Sequence, residues 1–275
     1  MASAESTTGD RIVGRVSHPT PPVLVGCAHG TRSTSGRRAV AELLVAVGDA
    51  RPDLDVEPAF VDVQPPSVAE VVARLAGSGR ACVVVPLLLS AGFHVRTDVA
   101  DAVRSAAGAV AAPALGPDPR LVEMLRDRLQ SAGAVAGDGV VLAAAGSSEP
   151  RAGADVELMR SALAARWTGP VVAGFGASAT PTVAEAVTAL RDGGSRRVAV
   201  ASYLLAPGHF HDRLDRAGAD VVAAPLLDGL DGLDGPVDVR LVEIVLDRYT
   251  STIKELVTIK EPRDDQGTPD RSGSP

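Results

Sequence analysis

The amino-acid sequence repeats itself, and that constrains its fold more than any other feature. Pro66-Ser67-Val68-Ala69-Glu70 returns as Pro181-Thr182-Val183-Ala184-Glu185, 115 positions on. Ala28-His29-Gly30-Thr31 stands where Ala144-Ala145-Gly146-Ser147 stands, 116 positions on. Arg120-Leu121-Val122-Glu123 returns as Arg240-Leu241-Val242-Glu243, 120 positions on. Three echoes in one order, with a slowly drifting offset, mark a duplicated unit. The extra segment Asp228-Gly229-Leu230-Asp231-Gly232-Leu233 absorbs the drift.

Within each unit, short apolar runs alternate with helical patterns. In the first unit strands are expected at Val23 to Ala28, Val56 to Val61, Ala81 to Pro86 and Ala109 to Ala112. Helices are expected at about Gly36 to Ala50, Ser67 to Ala76, Thr97 to Ala107 and Arg120 to Ala132. The second unit predicts strands at Val140 to Ala144, Val171 to Phe175, Arg197 to Ser202 and Val221 to Ala224. Its helices are expected at Gly153 to Trp167, Thr182 to Arg191, Asp212 to Arg216 and Val237 to Thr258. Such alternation builds parallel sheets with helices on both faces. The fold class expected is therefore α/β: two tandem duplicated, doubly wound parallel-sheet domains, residues 23–136 and 137–259, facing a central cleft. Residues 1–22 are polar with a Pro-rich end and read as a disordered leader, and residues 260–275 as a disordered charged tail.

Composition narrows the function classes. The formal charge is −7, from 27 Lys and Arg against 34 Asp and Glu, and aromatics are 3% of the 275 residues. A nucleic-acid platform needs basic stripes and stacking rings, so no nucleic-acid partner is expected. Apolar runs break well before the roughly 18 residues of a membrane span, and no apolar signal core precedes them. A cytoplasmic protein without a membrane partner is expected. Cys27 and Cys82 are the only cysteines, too few for a disulfide scaffold or a four-cysteine metal site. Both lie inside strands and read as buried, inert thiols. Trp167 and Phe175 read as core. Two domains can close one cleft, so a monomer suffices.

In parallel sheets, ligands bind beyond the carboxyl ends of the strands. His29 directly follows the first strand. His94 follows the third strand and the run Leu87-Leu88-Leu89-Ser90-Ala91-Gly92-Phe93. Asp62 follows the second strand, and Arg32 and Arg96 stand beside the two histidines. Arg37 and Arg38 read as a solvated helix face. His209 and His211 flank the position corresponding to His94 and can line the cleft from the other side. The second unit carries Ala145 where the first carries His29, which places the chemistry in the first unit. Neutral imidazole is a ligand for Fe, Co, Ni and Zn and a base near neutral pH. No third ligand stands at fixed short spacing, so any metal is held transiently in an open site rather than in a closed structural one.

These residues resemble the sirohydrochlorin chelatase family in its long, duplicated form. The resemblance rests on Val25-Gly26-Cys27-Ala28-His29-Gly30-Thr31-Arg32, on Phe60-Val61-Asp62 with Pro66-Ser67, and on the run Pro86 to Asp98 that contains Gly92-Phe93-His94-Val95-Arg96. It extends from about Val23 to Tyr249. It implies a tetrapyrrole bound between two α/β domains and insertion of a divalent metal without ATP, the metal (Fe2+ favoured over Co2+) being substrate and no cofactor permanently bound. It implies that His29 and His94 bind the metal and take the pyrrole protons. Asp62 stands where many members have Glu. Arg32 and Arg96, with Gly30 and Gly92, are implied in binding the eight-carboxylate substrate.

Three other readings compete. One is the same chemistry with cobalt, in cobalamin synthesis. Another is a histidine phosphatase, but Ala28 replaces the Arg that such a motif needs before its His. The third is a non-enzymatic metal or tetrapyrrole carrier. No nucleotide-binding glycine loop follows any strand.

Overall fold

The computed structural model describes residues 20–90, 92, 95–227 and 237–260. Most of the expected leader, the tail beyond Lys260 and the extra segment of the second unit lie outside these residues. The first unit runs β1 (Val23–Ala28), α1 (Thr34–Ala50), β2 (Val56–Phe60), α2 (Val68–Gly77), β3 (Cys82–Pro86), α3 (Ala100–Arg104), β4 (Ala109–Ala111) and α4 (Pro119–Ser131). The second runs β5 (Gly139–Ala144), α5 (Pro150–Ala164), β6 (Val171–Phe175), α6 (Val183–Asp192), β7 (Val198–Tyr203), a 3-10 turn (His211–Arg216), β8 (Val221–Val222) and α7 (Val239–Lys260). The strand orders are β2-β1-β3-β4 and β6-β5-β7-β8. Every pairing is parallel. This is the expected α/β fold in both units.

The echoed segments take the same local structure for the same reason. Ser67 and Glu70 form a capping box at the start of α2, and Thr182 and Glu185 form its counterpart at α6. Each box satisfies two backbone N–H groups that the first helical turn leaves without partners. β1 is buried along its length because both of its faces are covered. Val23, Val25 and Cys27 pack into the outer layer with α2, whereas Leu24 and Ala28 point into the central core.

Two elements differ most from expectation. The helix expected over Thr97 to Ala107 is a π turn at Val95–Val99 followed by only five residues of α3. Gly108, at φ +81°, turns the chain into β4 there, a backbone conformation that other residues adopt at a cost. α5 begins at Pro150, since proline at the first helical position gives up an N–H that has no partner anyway. It stops before Trp167, whose indole N–H donates to the Asp138 carbonyl at 2.9 Å.

The tertiary arrangement adds something that no periodicity carries. The last helix of each unit lies on the sheet of the other. α4 packs on β7 and α5, and α7 packs on β3 and α1. One continuous core therefore joins Leu24, Leu43 and Val85 of the first unit to Leu142, Met159 and Tyr203 of the second. The echoed arginines lock the exchange reciprocally. Arg120 of α4 bonds Asp247 of α7 at 2.7 Å, and Arg240 of α7 bonds Asp127 of α4 at 2.8 Å. Each also clasps the aspartate that caps its own helix start, Asp118 or Asp238. Contacts that repeat when the two units change places are the mark of a twofold relation within one chain.

Candidate active site in the cleft between the units

His29 is the first residue after β1, and its backbone is locked from several sides. The Ala28 carbonyl accepts from Val61 N–H and the His29 carbonyl from Asp62 N–H, both at 3.0 Å. Thr31 N–H donates to Gln64 Oε1 at 2.8 Å, and Arg37 Nε donates to the Thr31 carbonyl at 2.7 Å. Gly30 sits at φ +95°, where an added Cβ would collide with the Asp62 carbonyl oxygen. Glycine is thus required by both backbone angle and space. The second unit repeats this turn: Gly146 sits at φ +89° against the Ala177 carbonyl, and Val63 and Ser178 share a left-handed backbone. Before the glycine, the first unit carries His29 and the second Ala145.

The carboxyl ends of the two sheets enclose a cleft of about 1040 Å3. Ligand pockets span roughly 300–1,000 Å3, so this one suits a large molecule. The first unit contributes residues 28–32, Phe60, Gln64, 87–90 and Gly92; the second contributes 144–148, Phe175, 177–179 and 203–211. The interior is apolar, from Leu87, Leu88, Leu89, Val156, Leu204 and Leu205. Phe175, expected in the core, is half-buried and forms part of this wall. It is the last residue of β6: part of the ring packs against the central core, and the rest stands at the cleft. Sequence reasoning also missed Gln64, Tyr203 and Ser90, Ser147, Ser148 and Ser178. All but Tyr203 follow strand ends, and that position was the available signal.

Among the described residues no aspartate or glutamate lines the cleft, although acids outnumber bases in the chain. The titratable lining groups among these residues are His29, Arg32, Tyr203, His209 and His211. Arg32 is exposed and has no ion-pair partner among the described residues. A carboxylate-bearing ligand therefore meets positive charge without acidic competition. Arg37 and Arg38 are exposed on α1, as expected of a solvated face, and Arg38 pairs with Glu42 one helical turn on.

The other expected site residues are distributed as follows. Gly92 lines the cleft. Asp62 is exposed, its carboxylate accepts from Val63 N–H at 2.7 Å, and it is not among the lining residues. What Asp62 supplies to the site is backbone support for His29. His94 lies outside the described residues, as does the side chain of Arg96. Among the described residues no three His, Cys, Asp or Glu side chains gather to hold a metal. Cys27, two residues from His29, is buried, and that burial pushes its thiol up to about 12, so it stays protonated and is a poor metal ligand. No described helix is long and apolar enough to cross a membrane.

Comparison with known proteins bears on both units. The CbiX family matches residues 23–132 and 139–225. A sirohydrochlorin cobaltochelatase of Sulfurisphaera tokodaii is 33% identical over 78 residues, 27% of this chain and 65% of that protein. The protein of the same name from Sulfolobus acidocaldarius is 31% identical over 86 residues, 30% of this chain and 70% of its own length. The chain thus spans about two thirds of the length of these relatives. The structure of SirB from Bacillus subtilis with Fe3+ superposes with a TM-score of 0.70 at 20% identity, covering 86% of this chain and 98% of that one, and shows the same fold. Matched through both of its units, the chain belongs to the CbiX family.

Proposed function

We propose that this protein inserts a divalent metal into sirohydrochlorin without ATP. The observation that carries the reading is the cleft. It is voluminous, apolar within, free of lining carboxylates among the described residues, and has His29 at the end of β1 on its rim. Insertion requires a donor that hands over the metal and acceptors for two pyrrole protons. Neutral imidazole serves either role. His29 and His94 are assigned metal binding and delivery, with a share in proton acceptance on the face they meet, Arg32 and Arg96 anchoring substrate carboxylates and Gly30 and Gly92 letting the backbone approach. Asp62 holds Val63 N–H through Oδ1, which leaves Oδ2 as the atom to steer metal. The metal is a substrate, not a resident cofactor. Cobalt is now the favoured metal, because the named relatives are cobaltochelatases; iron is the second arm of the test. The reading places a monomeric enzyme in the cytoplasm.

The test is anaerobic absorbance with sirohydrochlorin in excess and Co2+ or Fe2+. Multiple turnovers above the metal-only rate are expected, faster with cobalt. A spectral change that stops at one equivalent of protein overturns the enzyme in favour of a carrier. A positional check accompanies it. Gly30→Ala is expected to lower kcat/KM about 100-fold, since the shifted turn misplaces His29. Gly77→Ala, where an added Cβ meets nothing within 4 Å, is expected to leave the rate unchanged.

A further inference from the structure

Metal insertion makes a demand that one wall of a cleft does not meet. A metal ion approaching a flat macrocycle occupies one of its faces. The two pyrrole protons then leave most directly from the other face, and need acceptors there. In a cleft formed by two units, the two faces of a flat ligand look at different units. His29 stands on the first unit's wall. The second unit's described lining contains three groups with a titratable proton: Tyr203, His209 and His211. Tyr203 is spoken for. Its side chain is buried, burial pushes its phenol up, and its hydroxyl donates to the Leu89 carbonyl at 2.7 Å, tying the units together. Two imidazoles remain.

We propose that His209 and His211 accept the pyrrole protons on the macrocycle face turned towards the second unit. The inference rests on the chelatase reading above and assigns the second wall its part in it. The geometry brings these residues to the reaction. They follow β7, at the strand end equivalent to that of β3. Their loop is seated on the first unit: a Cβ on Gly36 would collide with the Pro207 carbonyl, and one on Gly208 would stand 3.4 Å from the Thr31 hydroxyl. His209 is thereby held beside the turn that begins two residues after His29. The Phe210 ring meets the His209 ring edge-on, with centroids 5.8 Å apart. His211 is half-buried with Nε2 3.4 Å from the Ala223 carbonyl oxygen. When Nε2 carries the proton, Nδ1 holds the free lone pair and is the accepting atom. The duplication has removed an imidazole at Ala145 and placed two here. The walls are chemically unequal, as a division between metal delivery and proton removal requires.

The step balances without any further reactant. Two N–H bonds break, and their electron pairs stay on nitrogens that bind the metal. Each proton passes to an imidazole and then to water. Nothing is oxidised or reduced.

The test compares wild type with His209→Asn, His211→Asn and the double variant, using Co2+ and sirohydrochlorin. Asparagine keeps hydrogen-bonding capacity but cannot take the proton. The double variant is expected to lose about 100-fold in kcat, with substrate affinity (by fluorescence titration) and melting temperature close to wild type. Added imidazole is expected to restore part of the rate. The exposed His209 variant gives a readout even if the half-buried His211 variant folds poorly; about a tenfold loss in kcat is expected for it. A double variant within about twofold of wild type in kcat overturns the proposal. So does weakened substrate binding at unchanged kcat, which makes the histidines carboxylate anchors, and so does a lowered kcat that imidazole fails to rescue. Wild type without turnover overturns the chelatase reading and this inference with it. An active wild type beside an equally active double variant overturns this inference alone.

Discussion

His29→Ala and His94→Ala are each expected to lower the rate of metal insertion by roughly 100- to 10,000-fold, the range for removing a positioned catalytic imidazole. For His29 the cause can be followed atom by atom. Its backbone is fixed by Asp62 N–H and by the left-handed Gly30, and its side chain reaches the cleft from that fixed point. The bonds that the turn receives from Val61, Asp62, Gln64 and Arg37 do not involve the imidazole, so they persist when it is removed. The side chain is exposed, so stability is expected to change by no more than about 0.5 kcal/mol. Substrate binding is expected to persist, because Arg32 and the apolar interior remain. The signature is thus a collapsed kcat with little change in substrate KM. Anaerobic steady-state absorbance measures both. A His29→Ala protein that keeps half the wild-type rate would move the chemistry to the second wall and remove His29 from the mechanism.

Ile244→Ala is expected to destabilise the protein by about 2–5 kcal/mol, the usual cost of truncating a fully buried aliphatic side chain. Ile244 has no exposed surface. The location of the damage is the sharper part of the expectation. α7 belongs by sequence to the second unit but packs on β3 and α1 of the first. Amide exchange is therefore expected to accelerate in β1 and β3, which are hydrogen-bonded neighbours, and not only in the second sheet. Urea unfolding gives the magnitude, and hydrogen exchange gives the place. Unchanged protection of β1 and β3 with loss confined to β5 and β7 would contradict the helix exchange. Because one core runs through both units, a single cooperative transition is expected.

The site was partly legible because strand ends are local features. Val23 to Ala28 announces a buried strand, and whatever follows a parallel strand faces the ligand edge, so His29, Arg32, Gly30 and Gly92 could be named from the chain alone. Asp62 was named by the same rule; its carboxylate turns to Val63 N–H, outside the cleft lining, while its backbone N–H supports His29. The rule locates a residue at an edge; it does not say which way a side chain turns. Phe175 shows the same limit: an aromatic at a strand end reads as core until the opposite unit is in place. Trp167 escaped its expected helix because a long-range partner, the Asp138 carbonyl, claimed its N–H.

By itself the sequence determined the two units, their strands, the echoed segments and the unequal histidines at the strand ends. Each of these follows from a pattern over a few residues: continuous apolar runs for strands covered on both faces, and apolar positions at a spacing of about 3.6 for the helices. The tertiary structure alone decided that α4 and α7 change places, that Arg120 reaches Asp247 while Arg240 reaches Asp127, and that His209 and His211 share a cleft with His29. The physical reason is that an apolar helix face records only that it must be buried. The hydrophobic effect has no direction, and which sheet covers that face is settled by how both units pack at once.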